Sequence, residues 1–112
     1  MTDVTTHVLD TAGGRPAAGI EVSLEARGAD GRWTSLGGGV TDADGRATGL
    51  AGSGGAARGV HRLVFATGRR VDRAGRPAFF DEVVVTFRVA GEAHLHIPLL
   101  LSPYGYTVYR GS

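Results

Sequence analysis

Four histidines, one arginine and a terminal segment carry the groups in this chain that could do chemistry. His94-Leu95-His96 places two imidazoles at i and i+2, the same face of any strand. An imidazole titrates near neutral pH and serves as general acid, general base or metal ligand. The pair would suit zinc, but no cysteine or carboxylate has the spacing to complete a site, so no metal is expected. His7 lies in the opening run Thr5-Thr6-His7-Val8-Leu9, and His61, at a strand start, reads as structural. Arg46 follows Asp42-Ala43-Asp44-Gly45. That run begins like a calcium loop, lacks its later ligands, and is read as a hairpin turn. The planar donor fork of arginine suits an anionic, heterocyclic array of oxygens better than a lysine does. The chain closes on Tyr109-Arg110-Gly111-Ser112. Ser112 lacks the oriented base and acid that a serine nucleophile needs. Its α-carboxylate, an anion at neutral pH, is the more useful group, able to orient a cationic or N–H partner.

These groups must be positioned by strands. Ile20-Glu-Val-Ser-Leu-Glu-Ala26 alternates apolar and polar residues, as does Val83-Val-Val-Thr-Phe-Arg-Val89. Eight strands are expected, at about 4–11, 20–28, 32–38, 45–50, 60–67, 82–90, 93–101 and 104–110. Asp30-Gly31 and Asp44-Gly45 read as hairpin turns between them. One short helix is expected after the fifth strand, over 67–75, with Arg69, Arg70, Arg73 and Arg76 on a solvated face. The glycine runs 37–39 and 52–55 lack a phosphate-loop lysine and read as flexible connectors. Together these features predict an all-β, antiparallel sandwich in a single domain, 1–112.

Register decides which groups can meet. In strand 93–101, Leu95, Ile97, Leu99 and Leu101 point to the core, which turns His94, His96, Pro98 and Leu100 to the opposite face. His7 and Leu9 oppose Thr6 and Val8 in the first strand, and Thr107 and Tyr109 share a face in the last. An outer face carrying Leu9, Pro98, Leu100 and Tyr109 calls for another subunit against it. Bulk properties exclude other classes. The 112 residues carry a net charge of +1, so no field recruits nucleic acid or an anionic membrane. No cysteine is present, which removes disulfide and thiolate chemistry. The N-terminus lacks the pattern of a secretory signal, and the apolar run Ile97–Leu101 is too short to span a bilayer, so a cytoplasmic protein is expected.

The tail Leu99-Leu-Leu-Ser-Pro-Tyr-Gly-Tyr-Thr-Val-Tyr-Arg-Gly-Ser112 closely resembles the ending of the 5-hydroxyisourate hydrolases of the transthyretin-like group. Thr6-His-Val-Leu-Asp-Thr-Ala12 with Gly14-Arg-Pro-Ala17, Thr41-Asp-Ala-Asp-Gly-Arg46, and His94-Leu-His-Ile-Pro-Leu99 resemble its other motifs. The departures are Leu95 for a usual tyrosine, Thr107-Val108 for Ser-Thr, and an Arg-rich 67–76 segment without the usual aromatics. The resemblance implies a transthyretin-shaped homotetramer, a dimer of dimers with sites in its channel. It implies metal-free, cofactor-free hydrolysis of 5-hydroxyisourate in urate degradation. His7, Arg46, His96 and Ser112 would be catalytic, and Tyr109, Arg110 and Gly111 would join them in binding substrate. The alternative is a transthyretin-like small-ligand carrier, because a fold alone does not fix an activity.

Overall fold

Ile20, Val22 and Leu24 are buried while Glu21, between them, is exposed, so the period-two pattern closes one face of its strand onto a core. In a computed structural model, which describes residues 1–70 and 75–112, the chain forms ten strands and one helical turn. The strands are β1 (Asp3–Asp10), β2 (Arg15–Pro16), β3 (Glu21–Arg27), β4 (Trp33–Val40), β5 (Arg46–Ala47), β6 (Gly59–Phe65), β7 (Val83–Val89), β8 (His94–His96), β9 (Leu99–Ser102) and β10 (Gly105–Val108). One sheet runs β10-β9-β1-β2, with β5 and β8 also pairing β1; the other runs β4-β3-β6-β7. Between them lie Val4, Val8, Leu24, Leu50, Leu63, Phe65, Val83 and Leu99, each with no exposed surface. Burying each of these side chains stabilises the sandwich by about 1.5–3 kcal/mol. The expected all-β sandwich is the fold observed. No helix among the described residues is long and apolar enough to cross a membrane.

Several local expectations are corrected. The strand expected at 93–101 is two strands, β8 and β9, and both pair with β1 in parallel, so the sandwich is not wholly antiparallel. Pro98 breaks the run because it has no N–H to give to the ladder. The gap is bridged locally: the Ile97 N–H donates to the Thr5 carbonyl at 3.0 Å, and the Thr6 hydroxyl donates to the Ile97 carbonyl at 2.6 Å. The strand expected at 45–50 is paired only at Arg46–Ala47. Asp44-Gly45 is a turn but not a hairpin, since β4 and β5 on either side of it belong to different sheets.

Gly37, Gly38 and Gly39 are not connectors; they sit inside β4, paired with Leu24, Ser23 and Val22. A Cβ on Gly37 would stand 2.6 Å from the Leu50 carbonyl oxygen, so the loop that crosses this strand requires a bare backbone there. The helix expected at 67–75 is a 3₁₀ turn over Thr67–Arg69, ending where Arg70 becomes extended; residues 71–74 lie outside the described residues. Arg69 and Arg70 do not form a helix face. They pair with Glu21 at 2.8 Å and Asp10 at 3.6 Å.

Candidate active site on the first sheet

The outer face of the first sheet is assembled by register. β1 pairs His7 with Arg46 on β5 and Thr5 with His96 on β8. Residues directly opposite in neighbouring strands share a face, with Cβ atoms about 4.5–5.5 Å apart in antiparallel pairs. His7 and Arg46 are therefore cross-strand neighbours. Thr5 and His7, two residues apart on β1, place His96 on the same face. Leu9 and Leu100, also register partners, continue that face beyond the polar groups. The expected facing of these strands is observed: Leu95, Ile97, Leu99 and Leu101 are all buried.

Arg46 is set by the turn that precedes it. The Asp42 carboxylate accepts the N–H groups of Asp44 at 2.9 Å and Arg46 at 3.0 Å, a side-chain turn that uses the carboxylate internally. Gly45 has φ of 78°, and a Cβ there would clash with the Val8 carbonyl oxygen. Its own carbonyl accepts the Val8 N–H at 2.7 Å, docking the turn onto β1. The same turn fixes His7, whose Nε2–H donates to the Asp44 carbonyl at 2.8 Å. A carbonyl only accepts, so the proton of neutral His7 sits on Nε2, and Nδ1 keeps its lone pair.

The terminal segment closes over His96. The Gly111 N–H donates to the His96 carbonyl at 2.7 Å. A Cβ at Gly111 would lie 2.7 Å from His96 Cδ2 and 3.1 Å from Pro98 Cγ, so only glycine passes this ring so closely. Tyr109 is half-exposed, and Arg110 stands 3.8 Å from the Glu92 carboxylate. Neither Arg46 nor the Ser112 carboxylate makes an ion pair among the described residues. His61 lies on the other sheet, buried, its Nδ1–H donating to the Gly59 carbonyl.

One residue of this face was not singled out from sequence. The Thr5 hydroxyl stands 2.8 Å from His94 Nε2 and 2.8 Å from His96 Nδ1. The available signal was its i, i+2 relation to His7. Burial, followed by the positive charges of His94, His7 and Arg46, lowers the His96 pKa below the ordinary 6.5. The face thus offers a neutral imidazole near an arginine whose backbone is held by the turn, a pairing that suits proton removal from water next to a developing oxyanion. Cavities of ≈ 290 Å³, lined by Phe79, Phe80 and Tyr104, and ≈ 220 Å³, lined by Phe87, Ile97 and Tyr109, both lie away from His7, Arg46 and His96. The candidate site is marked by the chemistry of its side chains and not by either of these cavities.

The HIUase/Transthyretin family model matches residues 4–111. A 5-hydroxyisourate hydrolase of Caulobacter vibrioides is 48% identical, with all of each chain covered. The solved Klebsiella pneumoniae 5-hydroxyisourate hydrolase is 37% identical over 100% of both chains, with a TM-score of 0.85. Sea bream transthyretin, solved in complex with thyroxine, is 32% identical over 96% of this chain and 93% of its own, with a TM-score of 0.87.

Proposed function

The chain belongs to the HIUase/transthyretin family, and on that premise we propose that it is a 5-hydroxyisourate hydrolase. The observation that carries the reading is the His7–Arg46 register pair sharing one sheet face with His96. The reaction opens the substrate ring at its acyl C–N bond, giving 2-oxo-4-hydroxy-4-carboxy-5-ureidoimidazoline. Water attacks the carbonyl carbon, an imidazole of His7 or His96 takes the water proton, and the C–N bond breaks as its nitrogen is protonated. The carbonyl is electron-poor enough that the mechanism needs no metal. Arg46 holds the substrate oxygens and the oxyanion, an interaction whose removal typically costs about 10²–10³ in kcat. Tyr109, Arg110 and Gly111 bound the substrate, and the Ser112 carboxylate orients Arg46 or a histidine.

That sheet face supports a tetrameric site, in which a second copy supplies a further wall. β7 and β10, each ending its sheet, offer unpaired edges to a further copy. The carrier reading shares the fold of the thyroxine complex but not the chemistry: two histidines and an arginine make this face polar and protonatable. His7→Asn and His96→Asn, assayed by decay of freshly generated 5-hydroxyisourate with and without chelator, test the proposal. Loss of turnover in at least one variant, unaffected by chelator, is expected. Near-normal rates in both would sink it, and tight binding of bulky aromatic ligands without turnover would favour the carrier.

A further inference from the structure

Thr5 is placed between two imidazoles with equal reach to each. Its hydroxyl carries one proton, so it donates to one ring nitrogen only and must accept from the other. Two arrangements satisfy both contacts. In the first, His94 Nε2–H donates to Thr5 Oγ1 and the Thr5 O–H donates to His96 Nδ1, which leaves the His96 proton on Nε2. In the second, His96 Nδ1–H donates to Thr5 Oγ1 and the Thr5 O–H donates to His94 Nε2, which leaves a lone pair on His96 Nε2. The first makes His96 Nε2 a proton donor, the second a proton acceptor. Thr5 is buried and His94 is exposed, so the three groups lead from the surface to His96.

We propose that Thr5 is a proton bridge through which His94 sets the tautomer of His96, with both acting as positioning residues for the hydrolysis. This rests on the reading that His96 works on the substrate. When His96 Nε2 takes the water proton, Nδ1–H passes its proton to Thr5 Oγ1, and the Thr5 proton passes to His94 Nε2. His94 then holds the charge at the exposed end, and the reverse sequence returns a proton to the departing nitrogen. No atom beyond the water and the two rings is consumed. Protonation of His94 fills both its nitrogens, so it locks His96 into the donor form. The charged and titratable groups facing this relay are His94 itself, Asp3 and His7 on β1, Arg46 on β5 and the Ser112 end.

The test is nitrogen NMR of the two rings in the intact protein without substrate. Where both rings are neutral, proton occupancy at His94 Nε2 and at His96 Nδ1 should sum to one in wild type and in Thr5→Ser. In Thr5→Val, which keeps the β-branch and removes the hydroxyl, the two should vary independently. Hydrolysis should follow: kcat in Thr5→Val falls about 10- to 100-fold with KM little changed, while Thr5→Ser stays within about threefold of wild type. Both rings protonated toward Thr5 while neutral, or unlinked occupancies in wild type, would overturn the bridge. So would Thr5→Val with an unchanged rate and pH profile, or Thr5→Ser as impaired as Thr5→Val. Wild-type protein inert toward 5-hydroxyisourate would instead reject the hydrolase reading, and the wild-type occupancies would still decide whether Thr5 couples the rings.

Discussion

His96 is held from two sides, by the Thr5 hydroxyl at Nδ1 and by the Gly111 backbone beside Cδ2. Its lowered pKa sets a direction for pH dependence. The neutral ring persists below pH 6.5 and is lost only as pH falls through the depressed value, so NMR titration of His96 should find its midpoint below 6.5. The same shift favours the folded state above the ordinary histidine value, and that contribution fades as pH falls from 6.5 through the depressed pKa. Arg46→Gln removes one repelling charge, so NMR titration should place His96 higher than in wild type. A fall, or no change, would contradict the electrostatic account. Gly111→Ala tests the other constraint. The added methyl must displace His96 or Pro98, so kcat should drop at least about tenfold while thermal stability falls by no more than about 1–3 kcal/mol. Unchanged turnover in a folded Gly111→Ala protein would mean that the ring position is not critical.

At the scale of elements, the break between β8 and β9 matters most. The Thr6 hydroxyl is buried and donates to the Ile97 carbonyl, which stands at the point where Pro98 interrupts the strand. Thr6→Val keeps the shape and leaves that carbonyl without its donor. The expected cost is about 1–3 kcal/mol, read as a lower denaturation midpoint with an unchanged slope. Activity should fall more than in a Leu99→Ala control, although that control costs about 2–5 kcal/mol in stability. The reason is proximity, since Thr6 lies between Thr5 and His7 and orders the strand end that carries His96. Equal activity loss in the two variants would assign the effect to stability alone.

For the whole molecule, the contrast between the two outer faces decides how copies meet. The second sheet turns Glu25, Arg62 and Trp33 outward, with the Arg62 guanidinium 4.2 Å from the centre of the Trp33 ring and paired to Glu25. The first sheet turns Leu9 and Leu100 outward on the face of its histidines. Light scattering should therefore report a tetramer, and charges introduced at Leu9 and Leu100 should dissociate it with loss of turnover. A stable, fully active monomer would rule out a shared site. Where Ser112 is the last residue, adding residues after it removes one charge from the proposed site. The expected rate loss is about 10- to 150-fold, the equivalent of about 1.5–3 kcal/mol, and unchanged turnover in an extended protein would exclude the carboxylate.

Sequence alone determined the faces. Period-two alternation is a local property, so the burial of Leu95, Ile97, Leu99 and Leu101 and the outward facing of His7 and His96 followed from counting along each strand. The motifs at His7, Arg46, His94–His96 and the tail carried the family. Pairing was decided elsewhere. Whether β1 meets β8 in parallel, or Asp44-Gly45 joins one sheet or two, depends on contacts between residues far apart in the chain. Alternation does not encode them. Glycines 37–39 stand in a strand because the Leu50 carbonyl crosses it, and the helix signal yields to an extended Arg70 paired with Asp10. Thr5 shows the division most clearly. Its face was legible from its place in the strand, but its position between two imidazoles exists only because β8 lies in register beside β1.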